Sequence, residues 1–250
     1  MDRILLGIDV GGSSIKGGLL NLDTGALVGE LKHVATPKPA APAAVIKAVA
    51  ALVNELPSKG PVGFAFPSVV KHGKARTAAN VDHGWVGADG GALLREAIGR
   101  PVLFLNDADA AGIAEITWGA GRGTHGVAVM VTFGTGIGTA IFNNGVLLPN
   151  TELGHIELRG ADAEEWASAR VRTAENLDFP AWIERVNEYL DRLHGLFWPD
   201  VFILGGAVSE RYDQFAPLLK AGAEIRPAHF AGQAGVMGAA LAAANALEKA

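Results

Sequence analysis

The chain has 250 residues, of which 49% are hydrophobic and only 19% charged, and its formal net charge at pH 7 is -5. That length and apolar content suit one large domain or two lobes with a buried core, and the mild acidic balance argues against a nucleic-acid-binding protein. There is no cysteine, which excludes disulfides and thiolate metal sites.

The opening residues 3–9 (RILLGID) read as a short buried strand. Asp9 interrupts this apolar run, so it lacks the long apolar core of a secretory signal. No stretch is long and apolar enough to span a membrane, and a cytoplasmic protein is expected. SSIKGGLLNL and GALVGELKHV read as two more strands joined by the turn DTG. TPKPAAP is a loop, and AAVIKAVAALVNEL has the apolar spacing of a helix. PVGFAFPSVV and RPVLFLND are further strands, and from Asp107 the pattern changes to helix in ADAAGIAEITW.

Around residue 126 the opening grammar returns in GVAVMVTFGTGIGTAIFNNGVLL. An apolar strand meets a glycine turn, a second strand leaves it, and a third follows a short polar turn. This is an internal architectural repeat. The helices AEEWASARVR and PAWIERVNEYLDRLHGLF follow, then a buried strand DVFILGG and a closing Ala-rich helix from about Gln233. The expected fold class is α/β, with two lobes of one plan around a central cleft. Residues 1–106 form the smaller lobe and 107–233 the larger, with the closing helix (about 234–250) returning to the first. The apolar face of the long helix fits either core packing or a homodimer contact.

Glycines let backbone N–H groups approach a ligand oxygen. Neither turn is a Walker-type P-loop, because no Lys-Ser or Lys-Thr follows the last glycine. Neither is a dinucleotide fingerprint, because a strand follows where that motif needs a helix. The turns are candidate phosphate grips, with a plain hairpin using glycine for positive φ as the alternative for each one alone. Ser13, Ser14 and Thr135 add hydroxyl donors, and Lys16 adds a positive charge. ILGGAVS, at 203–209, supplies a third glycine turn. Asp9, a carboxylate at the end of a buried strand, suits Mg²⁺ coordination through water, or else a turn-forming role on the glycine amides.

LFLNDADAAG places Asn106 and Asp107 where a strand gives way to a helix. A helix N-terminus favours the ionised carboxylate by about 0.3–1 kcal/mol, which suits a proton acceptor as well as an ordinary cap. PNTELGHIELRGADAEEWAS gathers Glu152, His155, Glu157 and Glu164, a mixture of donors and acceptors suited to sugar hydroxyls. RTAANVDHGWVG adds Asn80, Asp82 and Trp85 in a polar and aromatic loop.

Together GIDVGGSSIKGG, LNDADAAG, TFGTGIG, PNTELGH and FILGGAVS resemble the sugar kinases of the ROK family, with its actin/hexokinase-like (ribonuclease H-like) duplicated fold. RTAANVDHGW, NTELGHIEL, AEEWASARVR and WPDVFILGG are similar to that family's polyphosphate-using glucokinase branch, and the resemblance runs from about residue 4 to 245. It implies phosphoryl transfer from polyphosphate, with ATP as a further donor, to the 6-hydroxyl of glucose. Asp107 matches the catalytic base. Asn80, Asn106, Asp107, Glu152, His155 and Glu164 match the glucose-binding positions. Asp9, Gly11, Gly12, Ser13, Ser14 and Lys16 match the first phosphate loop, with Asp9 also the Mg²⁺ position. Thr135, Gly136 and Gly138 match the second loop, and Gly205 and Gly206 the turn near a nucleotide's adenosine.

Many ROK proteins carry a cysteine-rich zinc motif between the histidine and the last sugar-binding glutamate. Here that interval is only IELRGADAE, so no zinc is expected and His155 acts without a metal. The resemblance also implies a homodimer, glucose or mannose as acceptor, and neither nucleic-acid nor membrane partners. A strictly ATP-dependent hexokinase and a non-catalytic sugar-binding protein are the alternatives. A transcription regulator of the same fold needs a DNA-binding segment before the first glycine turn, and the first strand here begins at about Arg3.

Overall fold

The computed structural model describes residues 3–79 and 81–247. β1 (Ile4–Val10), β2 (Ser14–Asn21) and β3 (Ala26–Ala35) form an antiparallel meander. α1 (Pro42–Asn54) begins on a proline, whose missing N–H costs nothing in a first helical turn, and buries Val45, Val49, Leu52 and Val53 on one face. β4 (Val62–Phe66) lies parallel to β1, and all five of its residues are buried, as its unbroken apolar run requires. A small hairpin, β5 (Val70–Lys71) and β6 (Lys74–Ala75), leads to α2 (Gly90–Ile98), which Asp89 caps by accepting from the Ala92 N–H. β7 (Val102–Asn106) pairs parallel with β4, and α3 (Asp107–Thr117) follows without a break.

The second half repeats the plan. β8 (Val127–Phe133), β9 (Ile137–Asn143) and β10 (Val146–Leu148) are an antiparallel meander. A two-stranded hairpin, β11 (Glu157–Leu158) and β12 (Ala161–Asp162), precedes the short helices α4 (Ala163–Ala167) and α5 (Ala169–Ala174) and the long α6 (Phe179–Phe197). β13 (Val201–Gly205) joins β8 in parallel, and β14 (Glu224–Pro227) joins β13. α7 (Ala234–Leu247) closes the described chain. The strand orders are β3-β2-β1-β4-β7 and β10-β9-β8-β13-β14, one topology built twice. The repeat read from the sequence is therefore a repeat of fold.

The chain divides into one unit that runs up to Ala114 and resumes at Gln233, and a second, Glu115–Gly232. This moves the boundary from the expected 106/107 to 114/115 and makes the first unit the larger. The reason is the packing of α3, because Ala110 is fully buried in a cluster with Ala65 and Ala239 of the first unit. α7 belongs to this unit and lies against its sheet backbone to backbone. A Cβ on Gly7 would overlap the Val236 carbonyl, one on Gly63 the Ala239 carbonyl, and one on Gly238 the Ala110 carbonyl. The alanine and glycine richness of α7 is thus a packing requirement, since larger side chains would hold helix and strands apart.

The second unit's core uses α6, which buries Trp182, Ile183, Val186, Tyr189, Leu190 and Leu193 against β8, β9 and β13. Its apolar face is spent on the core and is not a free dimer surface. Trp85, in the polar and aromatic loop, turns inward. It is 1% exposed, packs against Phe66 (ring centres 4.4 Å apart) and donates its Nε1–H to the Ala40 carbonyl, so it is a core residue. Asp82 caps the short turn that carries it by accepting from the Gly84 N–H.

Candidate active site

In the first unit, β1 ends at Val10, and Gly11, Gly12 and Ser13 turn the chain into β2. Three carbonyls at this turn are tied to protein. Ser14 O accepts from the Gly11 N–H (3.0 Å), Ser13 O from the Thr36 N–H (3.1 Å), and Gly11 O from the Thr36 hydroxyl (2.6 Å). The amides of Gly12 and Ser13, both exposed residues, have no protein acceptor among the described residues. Neither Gly11 nor Gly12 takes a positive φ, so glycine here does not serve a left-handed hairpin. The turn presents N–H groups outward, which is the polarity an anion needs.

In the second unit, the turn between β8 and β9 is built on the same principle. Gly134 O accepts from the Arg170 N–H (3.0 Å), Thr135 O from Arg170 Nε (2.9 Å) and Gly136 O from the Gly134 N–H (3.0 Å). The Ile137 N–H donates to Glu164 Oε2 (3.1 Å), and the amides of Thr135 and Gly136 have no protein acceptor among the described residues. A Cβ on Gly136 would overlap the Glu164 carboxylate. Gly138 lies in β9 opposite Thr132. Gly205 ends β13, and Gly206, with φ 86°, leaves no room for a side chain against the Phe133 carbonyl. Its own carbonyl accepts from the Ser209 hydroxyl (2.7 Å) and so starts the 3₁₀ segment Ala207–Gln214.

Asp9 is directly opposite Lys16 in the β1–β2 ladder, so the two side chains share a face. The Asp9 carboxylate also lies against the first turn of α7, where a Cβ on Gly235 would come within 2.8 Å of its carboxyl carbon. Desolvation first and the Asp107 charge second, with Lys16 opposing both, push the Asp9 carboxyl up to about 6. Asp107 is the first residue of α3. Its Oδ1 accepts from the Ala108 N–H (2.9 Å), and burial raises its carboxyl above the ordinary range against the pull of that N–H and its own. Asn106, 7% exposed, caps α3 by accepting from the Asp109 N–H (2.9 Å) and donates to the Ser68 carbonyl (3.1 Å). Its side chain is therefore held rigidly, with one amide hydrogen unspent. Asn80 lies outside the described residues.

The remaining polar residues cluster in the second unit. His155 sits between two carboxylates, with Nδ1 2.8 Å from Asp162 Oδ2 and Nε2 3.6 Å from Glu152 Oε2. Burial opposes its charge, but the Asp162 hydrogen bond and the fields of Glu164, Asp162 and Glu152 outweigh it and raise the imidazole pKa. Glu164 stands in the first turn of α4, fixed by the Ile137 amide as well as by its helix. Asp162 escaped the sequence reading. It stands at the N-cap position of α4 without capping the helix, and its carboxylate turns to His155 instead. The sequence signal for it is an acidic residue just before a helix that begins with the predicted Glu164. Glu157 lies in β11, exposed.

The ROK family model matches residues 5–171, and the chain belongs to the ROK family. It is 47% identical over 237 residues to the polyphosphate glucokinase of Mycobacterium tuberculosis, covering 94% of this chain and 89% of that protein. The crystal structure of the inorganic polyphosphate/ATP-glucomannokinase from Arthrobacter sp. strain KM superimposes with a TM-score of 0.94 at 44% identity, over 97% of this chain and 99% of that one. A ROK family glucokinase from Streptomyces griseus, solved with glucose and AMPPNP, shares the fold with a TM-score of 0.84 at 24% identity, over 97% and 99% of the two chains. The expected actin/hexokinase-like sugar-kinase fold is the observed one, and the chain is a phosphotransferase of that class. No helix among the described residues is long and apolar enough to cross a membrane.

Proposed function

We propose that this chain transfers a phosphoryl group from inorganic polyphosphate to the 6-hydroxyl of glucose, with ATP as a second donor. The observation that carries this reading is the shared polarity of the two glycine turns, each with flanking carbonyls bonded to protein and two adjacent amides left for an anion. A chain of phosphates offers the oxygens such turns require. The similarity to the Mycobacterium and Arthrobacter enzymes supports polyphosphate as that chain.

Asp107 is the general base. As a carboxylate whose burial raises its proton affinity, it is a stronger base than an exposed Asp. It takes the proton of the sugar 6-hydroxyl as the oxygen attacks phosphorus. The amides of Gly12, Ser13, Thr135 and Gly136 meet the charge on the phosphate oxygens, with the Ser13, Ser14 and Thr135 hydroxyls and Lys16 assisting. Glu152, His155 and Glu164 bind sugar hydroxyls, His155 as a donor oriented by Asp162, and Asn106 and Asn80 complete the sugar set. Gly205 and Gly206 shape the far end of the donor site.

Among the described residues no group of three or more His, Asp or Glu could hold a metal ion. Mg²⁺ asks for less, since it keeps several waters and takes one or two carboxylates plus substrate phosphates. Asp9 fits, as a hard oxygen donor whose desolvation and like-charged neighbour are relieved by a cation. When bound, Mg²⁺ supplies charge neutralisation on the donor phosphates. No zinc is needed. Mannose is a second acceptor, as the name of the Arthrobacter enzyme suggests, and the working form is a cytoplasmic homodimer.

The test is glucose 6-phosphate formation with Mg²⁺, comparing nucleotide-free polyphosphate with ATP. Turnover on polyphosphate is expected. Turnover on ATP alone would make the chain a strictly ATP-dependent hexokinase, and glucose binding without turnover on either would make it a sugar-binding protein.

A further inference from the structure

The arginines of the second unit differ in their partners. Arg159, Arg185 and Arg226 are paired with carboxylates, to Glu188 (2.8 Å), Glu175 (2.6 Å) and Glu224 (2.7 Å). Arg122, Arg170, Arg172, Arg192 and Arg211 have no carboxylate within ion-pair distance among the described residues; of these, Arg172 and Arg211 meet at one aromatic ring, and Arg170 lies two residues before Arg172. Arg170 holds the second glycine turn through its backbone and its Nε. Arg172 lies two residues further along α5, and its guanidinium carbon stands 4.2 Å from the centre of the Phe179 ring. Arg211 approaches the same ring at 4.7 Å from the 3₁₀ segment that follows Gly206. Its guanidinium donates only to the neutral Gln214 side chain (2.8 and 3.1 Å).

Two cations around one uncharged ring, with no counter-ion, repel each other. The ring face offsets only part of that repulsion. The Arg172 Nε is also buried without a hydrogen-bond partner among the described residues. Arg170, Arg172 and Arg211 run from the phosphate-gripping turn to the segment after Gly206. Resting on the polyphosphate reading above, we propose that Arg170, Arg172 and Arg211 form an arginine track. It carries the linear polyphosphate chain onward from the second glycine turn, with Phe179 as the rigid post that sets the spacing of Arg172 and Arg211. Guanidinium forks suit this ligand, because each can bridge two phosphate oxygens, and neighbouring phosphates repeat the same target. A short donor would reach Arg170 and little further. A long chain would engage all three.

The experiment compares wild type with Arg172→Gln/Arg211→Gln and with the single Arg211→Gln, whose site is exposed. Long-chain polyphosphate binding is measured by calorimetry, and kcat/KM with long-chain polyphosphate and with ATP at low and high salt. The double variant should lose on the order of tenfold or more in the ratio of polyphosphate to ATP kcat/KM, with the single variant intermediate. Its polyphosphate activity should also become less sensitive to salt. Lysine at both positions should recover part of the ratio. An unchanged ratio in a folded variant overturns the track while leaving polyphosphate as the donor. Wild type that neither binds nor uses polyphosphate overturns both readings.

Discussion

Replacing Asp107 by Asn should separate catalysis from stability, and in opposite directions. The substitution keeps an oxygen for the Ala108 N–H but removes the proton acceptor. If Asp107 is the base, kcat should fall by about 10²–10⁴-fold, equivalent to roughly 3–5 kcal/mol of barrier, with the glucose KM nearly unchanged. The same substitution relieves Asp9. An aspartate held at about 6 instead of 3.8 costs the fold about 3 kcal/mol once ionised. Because the folded-state pKa is raised, that cost is absent below pH 3.8, grows between 3.8 and 6, and is complete above 6. Desolvation supplies most of it and Asp107 the next part, so Asp107→Asn should stabilise the fold by on the order of 1 kcal/mol above pH 6. The gain should shrink as the pH falls toward 4. Thermal melts without Mg²⁺ at pH 5 and pH 8, beside a coupled glucose 6-phosphate assay, read both effects. A kcat within tenfold of wild type would refute Asp107 as base, and a stability change equal at both pH values would refute the electrostatic account of Asp9.

Three further outcomes follow from the geometry. Asp162→Asn removes the hydrogen bond that raises His155, so the imidazole should titrate at lower pH and the alkaline rise in glucose KM should begin earlier, by steady-state pH profiles. Gly136→Ala pushes a methyl into the Glu164 carboxylate and should raise the KM of both glucose and donor, whereas Gly160→Ala, at a site with open space but φ 81°, should change stability only. Glu115 is 0% exposed and accepts from the N–H groups of Ala120 (2.8 Å), His229 (3.0 Å) and Phe230 (2.8 Å). Glu115→Ala should therefore cost roughly 3 kcal/mol or more in denaturant unfolding.

Much of this molecule was legible because its signals are local. The apolar run before Asp9, the glycines and the apolar run after them define one strand–turn–strand unit, and the run around 127–142 defines its copy. Asp107 was legible for the same reason, as a carboxylate at the junction of a strand and a helix. What escaped depends on contacts that spacing does not encode. Asp162 reaches His155 only because β11 and β12 fold back on each other through Arg159 and Gly160, both at positive φ. Glu164 meets the second turn because Gly136 leaves room for it, 28 positions away in sequence. Trp85 sits in a polar loop, and its burial is not encoded there, because Phe66 and Phe104, far off in sequence, claim its ring for the core. The domain boundary moved for a similar reason, since α3 is held by alanine contacts to α7 that join distant parts of the chain.

The central claim is that the two glycine turns grip the donor through amides left open when their carbonyls are bonded inward. The most direct measurement is a titration of ¹⁵N-labelled protein with inorganic polyphosphate and Mg²⁺, following backbone amide shifts. The amides of Gly12, Ser13, Thr135 and Gly136 should move together and saturate at the concentration that saturates turnover, while Gly29, exposed in β3, and Gly160, in the exposed β11–β12 turn, stay still. Saturating turnover without movement at those four amides would contradict the account.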